Sequence, residues 1–345
     1  MQNILLAASG IGLILLTIYD LIYTTLSARG AGPVSNILSK GIWNVFKKIS
    51  KFFRSQVLLT WVGIIIIIAT VGSWVLMLWA GNALIFISDP RAVVKSETNQ
   101  PADNFERIYY TGYSLSTMGN GDFIGGSDLW KIYASVISFS GLIFITIAIT
   151  YMVPVLEAVT KRRSLSIRIA SIGYSVQSIL ISNWNGNDFK MLNTQFKGLE
   201  DQLVHQGQMH LAYPVLFYYH HVRKENSLLL NVVMLDELLS TLYLYVDEDK
   251  RPDKEFMLPL RKALTSYIET IGSTFVEVSE APAPPLDVSE LHKAGIPLKQ
   301  PSGNEVAQIA YRRCNLKTII DKTGWEWEDL TRRAFDPKLD LPGLI

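Results

Sequence analysis

Three uninterrupted apolar stretches constrain this chain more than any other feature: Ile4 to Leu26, Val57 to Ile87 and Trp130 to Leu156. Each is long enough to cross about 30 Å of hydrocarbon as a helix. Lipid offers no partner to a free amide, so a crossing segment must satisfy its backbone internally. The class that follows is an all-α membrane protein. The averages, 49% hydrophobic residues and a mean hydropathy of +0.21, blend two different regions. The apolar runs all lie before about residue 160, and beyond it charges recur every few positions, as in a soluble domain. Lys+Arg 32 against Asp+Glu 31 leaves +1, which argues for no nucleic-acid partner. A single cysteine, Cys314, excludes an intrachain disulfide and a thiolate cluster.

The first run lacks a basic leader and is too long for a signal peptide, and Asp20-Leu21-Ile22-Tyr23 is a poor cleavage context. It reads as a membrane helix. Asp20, near its inner end, needs either a partner on the next helix or basic segment, or water at the membrane edge. Gly30 to Pro33 breaks the chain. From Ser35 to Arg54, Leu38, Ile42, Val45, Ile49 and Phe52 recur at helical spacing, with Lys40, Lys48, Lys51 and Arg54 opposite and Trp43 and Lys47 at the edges. That pattern predicts a helix lying in the interface, with anionic lipids as partners at residues 35–54. The second run, at 31 residues, suggests a tilted span. Asp89-Pro90 ends it, and Arg91 to Asn104 reads as an exposed polar loop.

Between the second and third runs lies TGYSLSTMGNGDF, Thr111 to Phe123. A short helix is predicted from Phe105 to Ser116, with Tyr109, Tyr110 and Tyr113 as an aromatic surface and Glu106 and Arg107 facing outward. Gly119 and Gly121 then allow backbone dihedrals that other residues resist. At membrane depth such backbone survives only where it is buried in protein or lines a cavity, and rings of carbonyls that replace a cation's water are its plain use. In the third run, Gly141 suits close helix packing and Pro154 removes an intrahelical bond. Basic residues lie between the first two runs (Arg29, Lys40, Lys47, Lys48, Lys51, Arg54) and after the third (Lys161, Arg162, Arg163, Arg168). By the positive-inside rule both positions are cytoplasmic, which puts the N-terminus outside and the polar C-terminal region inside. The localisation expected is a multi-pass cell-membrane protein.

Thr117-Met118-Gly119-Asn120-Gly121-Asp122 resembles the filter of potassium channel pore domains, which reads T-V-G-Y-G-D after a short pore helix. Four of the six positions match, both glycines among them. The resemblance covers roughly Val57 to Leu156 and implies a pore-loop cation channel fold, here with an additional N-terminal helix. It implies that the backbone carbonyls of Thr117, Met118, Gly119 and Asn120, with the Thr117 hydroxyl, hold a permeating potassium ion, sodium being the alternative cargo. Asp122 falls at the pore mouth, either attracting cations or acting as a strut to the pore helix. Gly141 falls near the hinge glycine of such channels, and Ile147 and Tyr151, one turn apart below it, are candidates for the path near a gate, with Pro154 beside them. Two departures matter. Asn120 replaces the family's outward-held tyrosine with an amide too short for that contact, though able to hydrogen-bond locally or reach the pore mouth, and flexible Met118 replaces a stiff valine. Both weaken the expectation of strict potassium selectivity.

A lone filter segment, with no internal repeat, requires several copies, and four carbonyls per layer suit a cation, so a homotetramer is expected. The domains read as 1-55, a membrane helix with a basic interfacial helix; 56-160, the pore; and 161-345, a mainly helical cytoplasmic domain for assembly or gating. In the last, helices are expected at Leu228 to Leu244, Leu260 to Phe275, Asn304 to Arg313 and Leu316 to Arg333, with a Pro-rich linker at Ala281 to Leu286. His205, His210, His220 and His221 match no zinc spacing, and Asp247, Glu248, Asp249 and Asp253 match no calcium loop. Packed histidines and a solvated turn are the expected readings, with no cofactor. Nothing sets a nucleophile against a base, so no enzyme is expected. The function expected is passive conduction of monovalent cations. A weakly selective pore and a non-conducting structural protein of channel-like fold are the alternatives.

Overall fold

The computed structural model describes residues 2–27, 30–53, 55–275 and 282–331. Arg29, Arg54, Ala281 and Arg333, used in the sequence reading, lie outside the described residues. In chain order the helices and strands are α1 (Gln2–Leu26), α2 (Pro33–Phe53), α3 (Val62–Ser88), β1 (Val93–Lys95), α4 (Asn104–Leu115), β2 (Phe123–Gly125) and α5 (Asp128–Ala170). Then follow α6 (Val176–Ser182), α7 (Leu192–Phe196), α8 (Leu199–Ala212), α9 (Leu228–Tyr245), α10 (Lys254–Phe275), α11 (Ser289–Lys293) and α12 (Gly303–Thr323). The chain forms two compact units, one of residues 1–44, 63–156 and 212–215, the other of 45–62, 157–211 and 216–345.

In the first unit α1 meets α3 through small residues. A Cβ added to Gly10 would lie 2.5 Å from Gly81 O, and one on Gly81 would lie 2.7 Å from Ile14 Cγ1. Backbones that approach this closely replace the hydrophobic drive that lipid removes. Asp20 is fully buried, and its partners are on the following helices. Its carboxylate accepts from Val34 N (2.7 Å), Ser35 N (3.2 and 3.3 Å), Ser35 Oγ (2.5 Å) and Trp74 Nε1 (2.7 Å). An anion at the start of α2 satisfies amides that the helix itself leaves free. The core of this unit joins Trp74, Phe86, Tyr110, Tyr113, Ile137 and Phe144.

The segment Arg91 to Asn104 is not the patternless exposed loop that its polarity suggests. Ala92, Val93 and Ala102 are buried, and β1 pairs antiparallel with β2 in the register Val93 to Gly125, Val94 to Ile124 and Lys95 to Phe123. The short apolar triplet is what the core takes up, and a three-residue strand is too short to show a period.

α5 does not stop at Leu156 but continues through Pro154 to Ala170. Its buried residues Ile137, Gly141, Phe144, Ala148, Tyr151 and Val155 are spaced alternately by four and three, one continuous stripe. The opposite side exposes Ile132, Val136, Phe139, Leu142, Ile145, Ile149 and Val153.

The second unit is built on α9, in which every residue but Tyr243 and Tyr245 is buried. Among the described residues α9 is one of four helices long and apolar enough to cross a membrane, the others being α1, the Gln56–Ser88 stretch and α5, yet most of its surface is covered by protein. Its buried Asp236 pairs with Arg261 at 2.9 Å and with Arg312, and Glu237 with Arg313 at 2.8 Å. Two expected closing helices are one, α12, followed by a short 3-10 turn at Trp327–Thr331, because Cys314 and Asn315 carry no stop signal. α10 begins before Pro259, not after it, and holds the proline near its N-terminus. Lys47 of α2 donates to Asp321 O and Lys322 O, both at 3.2 Å, a cation on the carbonyl end of α12.

Candidate functional site

α4 starts in a capping box: Asp103 Oδ1 accepts from Glu106 N and Glu106 Oε2 from Asp103 N, both at 2.8 Å. Glu106 also pairs with Lys95 of β1 at 2.9 Å. Arg107 does not face outward. It is buried and donates to Pro90 O at 2.8 Å and Asn104 Oδ1 at 3.2 Å, because the Arg91 to Asn104 segment folds back over it. Along its length the helix is held by Trp79 Nε1 donating to Ile108 O (3.0 Å) and Ser138 Oγ donating to Ser114 O (2.8 Å).

The helix ends where the filter-like residues begin. Thr117 N donates to Ser114 O (3.1 Å) and Met118 N to Tyr113 O (2.9 Å), the paired bonds of a Schellman motif. Its left-handed position belongs to glycine by preference, but here it holds Thr117 at φ +60°. A β-branched residue in that region is strained, a cost of order 1–3 kcal/mol that tends to mark functional sites. Positive φ recurs at Gly119 (+60°) and Gly121 (+83°), with Met118 and Asn120 between them on the negative side. Alternation of this kind turns consecutive peptides to a common side, which gathers either amides or carbonyls; gathered carbonyls are what a dehydrated cation needs. Thr117 to Asp122 are all exposed in the single chain.

Asn120 makes the local hydrogen bond open to its short amide: Nδ2 donates to Tyr109 Oη at 2.5 Å, with Asp122 Oδ2 at 3.4 Å. The support stands on α4 itself, so the reach required is small. Tyr113 Oη donates to Phe123 O at 2.8 Å, and Ser96 N to Asp122 O at 3.0 Å. Asp122 is thus tied to Asn120 of the loop and, through its carbonyl, to Ser96, the residue after β1.

Gly141 lies against the end of α4: an added Cβ would sit 1.9 Å from Leu115 O. Close packing is thus a role this glycine has. Ile147 is half-buried and Tyr151 buried, with Tyr151 against Trp74 (6.5 Å) and Tyr213 (5.9 Å), so neither lies on the side of α5 that the chain leaves open. Tyr151 continues the stripe of Gly141 and Phe144, and Ile147 stands at its edge beside Ala148. On the open side at this level are Ile145, Ile149 and Val153. Pro154 is half-buried within α5.

In the second unit, among the described residues no three His, Cys, Asp or Glu converge as metal ligands. His210 packs on Tyr267 at 5.6 Å and His220 on Trp325 at 5.4 Å. Burial pushes His210 down to about 3 and His220 and His221 to about 4, so all three are neutral. Of the acidic residues, Glu248 meets Lys254 at 2.5 Å and Asp253 accepts from Asn193 Nδ2 at 2.7 Å. Arg162 is not a surface charge: it is buried and donates to Leu216 O (2.6 Å) and Tyr219 O (2.9 Å).

Residues 60–158 match the family described as "Ion channel". Over 335 residues the chain is 31% identical to a Bacillus subtilis (strain 168) protein described as "Uncharacterized membrane protein YdjJ", covering 95% of this chain and 98% of that one. No solved structure matches. With a re-entrant helix and loop set between two membrane helices inside the matched span, the chain belongs to the two-transmembrane, pore-loop ion channel family.

Proposed function

We propose that four copies of the chain form a pore that passes monovalent cations, chiefly potassium, down their gradient across the cell membrane. The backbone carbonyls of Thr117, Met118, Gly119 and Asn120 take the place of the ion's water, and Asp122 sits at the outer mouth. The observation that carries this reading is the alternation of φ at Thr117, Gly119 and Gly121 directly after the Schellman end of α4.

The groove of about 530 Å³ between the loop and α5, lined by Tyr113, Gly119, Gly121, Lys131, Ser135 and Phe139, supports self-association. A loop with no covering of its own is a poor fit to open lipid. The N-terminus lies outside and the second unit in the cytoplasm, where α2 rests on the anionic leaflet through exposed Lys40, Lys48 and Lys51. The second unit serves assembly or gating. A weakly selective pore is the second reading, favoured by the Met118 side chain, which is 59% exposed and packs on little.

The test is flux from vesicles holding the purified full chain, under potassium and sodium gradients, with particle symmetry measured on the same sample. Potassium flux through fourfold particles is expected. Particles of another symmetry, or vesicles tight to both ions, refute the reading.

A further inference from the structure

The two glycines of the loop face open space where a side chain would stand. A Cβ added to Gly119 or Gly121 would meet no heavy atom within 4 Å, so packing does not fix this backbone within the chain. What does hold it is the residue between them. Asn120 donates to Tyr109 Oη at 2.5 Å. Tyr109 in turn rests its ring edge-on against Tyr113 (5.3 Å) and Phe123 (6.2 Å). One turn further along α4, Tyr113 donates to Phe123 O. Phe123 opens β2 opposite Lys95, and Lys95 returns to Glu106 at the start of α4. The loop from Asn120 to Phe123 is thus tied at one end to Tyr109 and at the other to Tyr113, both on a helix anchored by its capping box, Trp79 and Ser138.

We propose that Tyr109 is a selectivity-setting residue of the pore, acting through Asn120 as the positioning contact for the carbonyls between Gly119 and Gly121. The inference rests on reading Thr117 to Asn120 as the filter. The chain moves the aromatic support from the loop to the helix: Asn120 supplies only an amide, and the helix extends the ring to meet it. Without the Tyr109 hydroxyl, the amide keeps only Asp122 at 3.4 Å, a weak contact beyond ordinary hydrogen-bond length. The carbonyls then relax, and a smaller cation is admitted.

The test uses the full chain in vesicles and reads the potassium-to-sodium permeability ratio from the reversal potential. Tyr109→Phe keeps the ring and loses only the hydroxyl. Its ratio is expected to fall about fivefold, the worth of one neutral hydrogen bond, with total flux preserved. Asn120→Leu cuts the same bond from the other end and stands in should Tyr109→Phe not assemble. The double variant is expected to fall no further than either single one, as two ends of one contact require. An unchanged ratio in Tyr109→Phe, an additive double variant, or a wild-type ratio near one overturns the brace while leaving the pore intact. Wild-type vesicles that pass neither ion overturn the pore itself.

Discussion

Replacing Gly141 by alanine separates a packing glycine from a flexible one. The added Cβ would sit 1.9 Å from Leu115 O, and real contacts of that kind stay beyond 3.0 Å, so α5 and the end of α4 must part by about 1.1 Å. The obstacle is a backbone carbonyl, which cannot swing aside as a side chain would. Overpacking costs about 1–3 kcal/mol, and the upper end applies here. Alanine returns up to about 1 kcal/mol of helix propensity, which leaves a net loss of about 2 kcal/mol. Gly72 in α3 is the control: nothing lies within 4 Å of its added Cβ, so Gly72→Ala keeps the propensity gain alone. Thermal melts of the detergent-solubilised full chain, followed by tryptophan fluorescence, should show Gly141→Ala lower by about 3 °C and Gly72→Ala unchanged or higher. Cation flux should fall in the first and not the second, since the displaced carbonyl belongs to the helix that leads into the Thr117 to Asp122 loop. A Gly141→Ala chain that melts at or above wild type but conducts less would refute the packing argument and restore a hinge.

Three further outcomes follow from the geometry. Gly119→Ala forces a Cβ into φ +60°, and should abolish single-channel current while the melt shifts by less than about 2 °C. Asp20→Ala leaves the amides of Val34 and Ser35 and the Trp74 indole without their acceptor, a loss of about 3 kcal/mol that a melt or a monodispersity assay should register, with Ser35→Ala costing far less. His210 and His220 titrate at about 3 and 4 when folded, against about 6.5 unfolded, so the unfolded chain binds more protons between those values. Stability contributed by their neutral forms is complete above about pH 6.5 and is lost as pH falls, by about 1.4 kcal/mol for each at pH 5.5; a melting temperature independent of pH from 7 to 5 would contradict it.

The membrane helices and the re-entrant segment were legible because length and apolarity in lipid leave one solution, and because two glycines at membrane depth leave few uses. What the sequence hid depends on partners far along the chain. Asp20 shows its need of a partner, but not that Trp74 is fifty-four residues away. Arg162 looks like its neighbours Lys161 and Arg163, and only the turn at Pro214–Tyr218 makes it a buried donor. Tyr109 was visible as an aromatic on a helix face. Its bond to Asn120 depends on how sharply the chain turns after Leu115, which the left-handed Thr117 decides and no residue preference announces.

Residues 45–62 belong to the second unit, and they precede in the chain the whole segment of α3 to Leu156. In order of synthesis, then, Lys47 and Gln56 emerge long before the ends of α12 that they bind at Asp321, Lys322 and Gly324. The pore segment is an insertion within the second unit, not a base to which that unit is appended. A gene fragment starting after Leu156 would encode a body missing one of its own pieces, and Lys47 in that piece must wait for a partner that lies 274 residues further along the chain.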